Sequence, residues 1–310
     1  MTNKKALIIV NPCSGMNKTR NAYKDIDALF RGNHYIPTVF TTTGKGHATE
    51  IALKYASDYD LIVCRGGDGT FSEMLNGLMK LKKMPPIGYI PSGTTNELAV
   101  AFGISTDAKT AAEIIVHHNP LPNDIGLFND DKYFTYVASF GAFSECSYAA
   151  SQKLKNRIGR FAYFYQSAKE IKDIRSIPMR VECDGFVEED EYILGSVSNS
   201  YSIGKIIKLN ETEVSLNDGM FEVFLGKNPG SISGLKDMLV SIAKKEFDER
   251  YIRIIKTNKA KFTSLSGNAI PWSLDGEFGG NNKIAEIEVI QNAYNIISPK
   301  AEKVSVVAAG

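Results

Sequence analysis

Asp60-Leu61-Ile62-Val63-Cys64-Arg65-Gly66-Gly67-Asp68-Gly69-Thr70-Phe71 decides the fold. Leu61 to Cys64 form an unbroken apolar run, the pattern of a buried strand. From Phe71 to Lys80 the apolar residues Phe71, Met74, Leu75 and Leu78 fall at helical spacing. A strand therefore empties into a glycine-rich turn, and the turn opens a helix. Glycines permit positive φ and let a ligand come close to the main chain. Backbone N–H groups of such a turn, with the helix N-terminus, suit phosphate oxygens. A carboxylate inside an anion site calls for a cation between them, so Asp68 suggests Mg²⁺ held against a polyphosphate. An ordinary tight turn is the plainer alternative, but three glycines around one aspartate exceed its needs. The loop does not match the Walker pattern.

Outward from this stretch, the same strand–loop–helix alternation recurs. Ala6 to Val10 reads as a strand ending in Asn11-Pro12-Cys13-Ser14-Gly15, with a helix over Lys18 to Phe30. Thr38 to Thr41 reads as a strand, Gly46 to Ser57 as a helix, and Pro86 to Ile90 as a strand ending in Pro91-Ser92-Gly93-Thr94-Thr95-Asn96. A short helix through Phe102 and another over Ala108 to His118 follow. The fold class is α/β, beginning with an open parallel sheet and flanking helices. Ligands of such sheets lie beyond the carboxyl ends of the strands, so the three glycine-containing loops are expected to converge.

Near residue 123 the pattern changes to period two. Tyr133 to Phe140, Met179 to Cys183, Tyr192 to Ser198 and Met220 to Leu225 alternate and are separated by Asn-Asp and Asp-Gly turns. Further strands read at Tyr251 to Lys256, Lys261 to Ser264 and Ile284 to Val289, with helices near Ser151 to Asp173 and Ser233 to Phe247. This predicts a nucleotide-binding α/β domain over 1–122 and a mainly antiparallel β domain over 123–295. The tail 296–310 is a candidate to complete the first domain.

Composition narrows the class. Apolar residues at 43%, charged residues at 23% and a formal charge of +1 describe an ordinary globular chain with no general attraction for nucleic acid. Cys13, Cys64, Cys146 and Cys183 lack paired spacing, which argues against zinc or a disulfide framework and fits a reducing cytoplasm. No window reaches the roughly 18 apolar residues of a membrane span. Any meeting with a membrane is expected from the water side. Lys153, Lys155, Arg157 and Arg160, next to the aromatic Phe161 to Tyr165, could lean on lipid, although a solvated face and a core segment are the blander readings.

Four stretches taken in order, Asn11 to Gly15, Gly66 to Thr70, Pro91 to Ala99 and Ser273-Leu274-Asp275-Gly276-Glu277, resemble the diacylglycerol kinase catalytic family, which includes bacterial soluble lipid kinases and sphingosine kinases. The resemblance covers nearly the whole chain. Gly-Gly-Asp-Gly-Thr alone is shared with NAD kinases, whereas the Asn-Pro-x-Ser-Gly start and the Leu-Asp-Gly-Glu near the end together mark the lipid-kinase branch. The resemblance implies ATP contacts at Asn11, Pro12, Cys13, Ser14, Gly15, Thr42, Gly66, Gly67, Asp68, Gly69, Thr70 and Thr94. It implies a proton acceptor at Glu277 and a Mg²⁺ held by the Asp218 carboxylate with main-chain carbonyls of Ser215 and Met220. By spacing alone, Asn217-Asp218-Gly219 is equally a hairpin turn.

Two departures stand out. Gly93-Thr94-Thr95-Asn96-Glu97 ends in glutamate where the family has aspartate, and the approach to Asp218 lacks the family's glycine- and proline-containing segment. The resulting expectation is a cytoplasmic, membrane-peripheral, Mg²⁺-dependent lipid kinase that moves the ATP γ-phosphate to a diacylglycerol-like hydroxyl, with Glu277 and Asp68 as its catalytic carboxylates. A homodimer is left open. The rivals are an NAD kinase-like enzyme and a nucleotide-binding regulator without catalysis.

Overall fold

The computed structural model describes residues 3–14, 19–94, 96–141, 176–199, 202–203, 207–208, 216–244 and 246–299. In β1 (Lys4–Val10) the residues from Ala6 to Val10 are all buried, as a strand covered on both faces requires. It is followed by α1 (Thr19–Gly32), β2 (Tyr35–Thr41), α2 (His47–Tyr55), β3 (Leu61–Gly66), α3 (Asp68–Leu78), β4 (Ile87–Pro91), α4 (Glu97–Phe102) and α5 (Ala108–His117). The order then becomes β5 (Pro120–Phe128), β6 (Lys132–Phe134), β7 (Val137–Gly141), β8 (Ile177–Cys183), β9 (Phe186–Ser198) and the short β10 (Ser202–Ile203) and β11 (Ile207–Lys208). The chain continues through β12 (Phe221–Lys227), α6 (Ile232–Lys244), β13 (Ile252–Thr257), β14 (Lys259–Ser264), β15 (Ile270–Leu274), β16 (Glu277–Asn282) and β17 (Ile284–Ile297).

Two units result, one running up to Asp124 and resuming at Asn292, the other Ile125–Gln291. In the first, β2, β1, β3 and β4 are parallel neighbours, and Ile296 at the end of β17 pairs in parallel with Ile87. The carboxyl ends of β1 and β3 are held in register by Val10 opposite Arg65, and those of β3 and β4 by Gly66 opposite Pro91. Asp124 is fully buried and accepts the Asn292 N–H at 2.7 Å, which ties the returning strand to β5.

The second unit is an antiparallel sheet in which β16, β15, β7 and β9 are successive neighbours. β9 also pairs with β8 and β12, and β12 with β13. One face of this sheet is the core. Trp272 sits there among Phe128, Phe140 and Phe262, with ring centroids 5.3, 5.0 and 5.2 Å away.

Local chemistry explains where the strands depart from the sequence pattern. The continuous strand expected over Tyr133 to Phe140 is broken into β6 and β7. The N–H groups of Thr135, Tyr136 and Val137 are captured by the Asp275 carboxylate instead of a neighbouring strand. β5, β15 and β16 are strands the alternation did not announce. β5 carries Pro120 and Pro122, and β16 carries Gly279, Gly280, Asn281 and Asn282, all poor strand formers whose pairing comes from neighbours. Among the described residues no helix is long and apolar enough to cross a membrane. The helix expected over 151–173, with its basic and aromatic residues, Gly15, Ser215, Cys146 and the tail beyond 299 lie outside the described residues.

Candidate active site

In the first unit the loops after β1, β3 and β4 are stitched together. Asn11 Nδ2 donates to Thr70 Oγ1 at 2.9 Å, joining the first loop to the central one. The Ser14 hydroxyl lies 2.8 Å from that of Ser92, joining the first loop to the one after β4. Ser92 N–H donates to the Gly66 carbonyl at 2.8 Å, which closes the set. Asn11 also receives the Cys13 N–H on its side-chain oxygen, an Asx turn that shapes the small-residue loop. Thr42 is buried, and its N–H donates to the Val10 carbonyl beside this cluster. Thr94 is exposed.

The central glycines act otherwise than expected from positive φ. None of Gly66, Gly67 and Gly69 is in the left-handed region, and Gly67 has φ of −89°. Their need is space. A Cβ on Gly67 would lie 3.2 Å from the Gly93 Cα, and one on Gly93 would meet the Gly67 Cα at 2.7 Å. The two loops thus pack backbone against backbone.

Asp68 turns inward. Its carboxylate accepts the Glu97 N–H at 2.9 Å, the Leu98 N–H at 3.3 Å and the Tyr89 hydroxyl at 3.3 Å. It satisfies orphan donors at the start of α4, next to Asn96, whose Oδ1 accepts from Gly93 N–H. Burial, then Asp68, pushes the Tyr89 phenol far above its usual range, so it remains a donor. Tyr89, absent from the sequence reading, carried only the signal of a strand aromatic.

In the second unit, Leu274-Asp275-Gly276-Glu277 is a two-residue hairpin between β15 and β16. Asp275 and Gly276 have φ of 50° and 85°, the twist a tight right-handed hairpin demands. The Asp275 carboxylate is buried and accepts four bonds, from Thr135 N–H and hydroxyl and from the N–H groups of Tyr136 and Val137. Burial raises its carboxyl above the ordinary value, and these donors pull the other way. Glu277, two residues on, is exposed on a turn that its neighbour anchors. Sequence reasoning assigned no role to Asp275; its only sequence signal was the Asp-Gly turn.

Asp218 stands in an Asx turn. Its Oδ1 accepts the Met220 N–H at 3.0 Å and its Oδ2 meets the Lys256 ammonium at 2.7 Å. The neighbouring Glu222 is buried, and burial pushes its carboxyl up to about 7. Among the described residues no group of three His, Cys, Asp or Glu is arranged to hold a metal ion.

The anchored turn, the stitched loops and the two-unit order can be set beside known proteins. The diacylglycerol kinase catalytic domain profile matches residues 5–128. Diacylglycerol kinase of Bacillus subtilis (strain 168) is 33% identical over 279 residues, spanning 89% of this chain and 91% of that protein. The chain belongs to the diacylglycerol kinase family. Diacylglycerol kinase of Staphylococcus carnosus (strain TM300) is 30% identical over 281 residues, 89% of this chain and 90% of that protein. The crystal structure of a candidate diacylglycerol kinase from Bacillus anthracis (strain Sterne) superposes with a TM-score of 0.82 at 27% identity, covering 97% of this chain and 99% of that one. The parallel sheet with helices followed by antiparallel strands is therefore the diacylglycerol kinase architecture.

Proposed function

We propose that this chain is a lipid kinase that transfers the γ-phosphoryl group of MgATP to a hydroxyl of diacylglycerol or a similar lipid. The observation that carries this reading is the Asp275 anchor, which presents Glu277 on a rigid hairpin in a chain related over most of its length to diacylglycerol kinases. Asn11, Pro12, Cys13, Ser14 and Gly15, with Gly66, Gly67, Gly69, Thr70, Thr42 and Thr94, form the nucleotide side, where backbone N–H groups receive phosphate oxygens. Asp68 acts by fixing the start of α4 and the loop before it, a positioning role. Glu277 takes the acceptor proton as its oxygen attacks phosphorus, and preorganised donors carry the charge on the phosphoryl group.

A second Mg²⁺ at Asp218 with the carbonyls of Ser215 and Met220 is part of this proposal. The donors are hard oxygens, as that ion requires. Lys256 stands in its way, but the pair is partly exposed, and such pairs are worth about 0–1 kcal/mol, so a divalent ion can displace it. The ion would brace the turn before β12.

The test is labelled ATP and Mg²⁺ offered separately with diacylglycerol micelles, sphingosine, other glycerolipids and NAD. Label in a glycerolipid is the expected result. Label in NAD, or in nothing, refutes it.

A further inference from the structure

The loop after β2, Thr42-Thr43-Gly44-Lys45-Gly46, stands at the outer edge of the first unit, because β2 is the last strand beyond β1. Thr42 N–H donates to the Val10 carbonyl at 2.8 Å, which carries the β1–β2 pairing one residue past Thr41 and next to Asn11. Beyond Thr42 the backbone has little of its own to restrain it. Thr43, Gly44 and Lys45 are exposed, and Gly44 and Gly46 lack the Cβ that narrows backbone freedom. Gly46 stands at φ of 83° as the N-cap of α2, with no side-chain bond to the helix.

His47, the first residue of α2, closes this loop on itself. Thr43 N–H donates to His47 Nδ1 at 3.0 Å, and the Thr43 hydroxyl lies 3.0 Å from the same nitrogen. A backbone N–H only donates, so Nδ1 is the acceptor and the neutral ring keeps its proton on Nε2. The only backbone bond alongside it is His47 N–H to the Gly44 carbonyl, at 3.3 Å. One side chain therefore fixes Thr43, and with it the buried Thr42, beside the Asn11 loop. That loop is in turn joined to the central glycines by the bond from Asn11 to Thr70.

We propose that His47 is a positioning residue for the nucleotide, its Nδ1 holding the loop after β2 in the conformation that meets the nucleoside of ATP. This deepens the lipid-kinase reading and rests on it for the ligand's identity. β1 separates β2 from β3. Neighbouring strands lie about 4.8 Å apart, so the loop is roughly 10 Å from the glycines that follow β3. A nucleotide with its phosphates on those glycines extends its ribose and base across the Asn11 loop toward Thr42 and Thr43. His47 acts through Thr43 and touches no reacting atom. Without its acceptor the loop must be ordered at the moment of binding, which weakens affinity and leaves the phosphoryl step alone.

The experiment uses the full chain and calorimetric titration with MgADP, which reads nucleotide binding without turnover. ATP KM, lipid KM, kcat and melting temperature are measured on the same preparations. An asparagine places its Oδ1 where Nδ1 stands, whereas a glutamine places its amide nearer Nε2, so the two separate the acceptor from the rest of the ring. His47→Gln and His47→Ala should raise the ADP dissociation constant and ATP KM fivefold to tenfold, the loss of about one hydrogen bond. His47→Asn should stay within twofold of wild type. In all three, kcat at saturating ATP and lipid KM should stay within twofold, and the melting temperature within a few degrees, since the bond lies in an exposed loop. Should His47→Gln fail to fold, His47→Ala, with the best helix former at a helical position, carries the same expectation. Wild-type ADP affinity in the folded Gln and Ala variants overturns the positioning role, and so does equal weakening in all three. In either case a wild type that phosphorylates lipid keeps the kinase reading. A wild type whose ADP affinity depends on His47 as expected, with no transfer to any lipid, keeps the positioning role and refutes the lipid kinase. A wild type that binds no ADP overturns the proposal.

Discussion

At the scale of single residues, Asp275 anchors the hairpin on which the proposed base, Glu277, sits. Glu277→Gln is nearly isosteric at an exposed position, so fold and ATP affinity should survive while lipid-saturated kcat falls by about 10²–10⁴. Turnover within a few-fold of wild type on the same preparation would remove the base assignment. Asp275→Asn should behave differently, because an amide cannot accept all four bonds that converge on the carboxylate. Loss of a hydrogen bond to a charged group costs about 1.5–3 kcal/mol, so this variant should lose stability together with kcat. The glycines offer a second comparison. A Cβ on Gly93 meets backbone at 2.7 Å and one on Gly67 at 3.2 Å, so Gly93→Ala should lower the melting temperature more than Gly67→Ala. The reverse order would show that ligand approach, and not loop-on-loop packing, is what these positions protect.

At the scale of elements, the central stretch was readable because its two halves obey different periods on either side of a glycine turn. Strand β3 and helix α3 meet at Gly67 and Asp68, as that change of period implies. What the aspartate does there was not readable. Its partners, Tyr89, Glu97 and Leu98, lie 21 to 30 residues away, and no local pattern announces a carboxylate serving another helix. The same holds for β6 and β7, where a side chain 138 to 140 residues distant takes the N–H groups that alternation assigned to a strand. The Asp68 geometry yields its own prediction. Asp68→Asn should loosen the start of α4, lowering stability by about 1.5–3 kcal/mol and raising ATP KM. An aspartate serving only as a metal or phosphate partner predicts lost turnover at unchanged melting temperature, so a calorimetric scan beside the kinetics separates the two.

At the scale of the whole molecule, the change from period 3.6 to period two near residue 123 reflects two kinds of sheet, covered on both faces in one unit and antiparallel in the other. Among the strands that escaped notice, β5, β15 and β16 carry proline, glycine or asparagine that hides a pairing decided by distant neighbours. A unit built this way also isolates the question of the second metal. Asp218, Lys256 and Trp272 all belong to Ile125–Gln291, and Trp272 is the only tryptophan of the chain. Its fluorescence therefore reports unfolding of the unit that would hold the ion. An ion bound only by the folded state stabilises it by about 2.7 kcal/mol at a hundredfold excess over Kd. Against that, the Lys256 pair it displaces contributes about 0–1 kcal/mol, so the gain should dominate. The Trp272 transition should thus move up in Mg²⁺ relative to EDTA, and Asp218→Ala should abolish the shift. Lys256→Ala should strengthen it, because the competing ammonium is gone. A transition indifferent to Mg²⁺ in both wild type and Lys256→Ala would leave Asp218 as the acceptor of an Asx turn and a lysine, with no metal of its own.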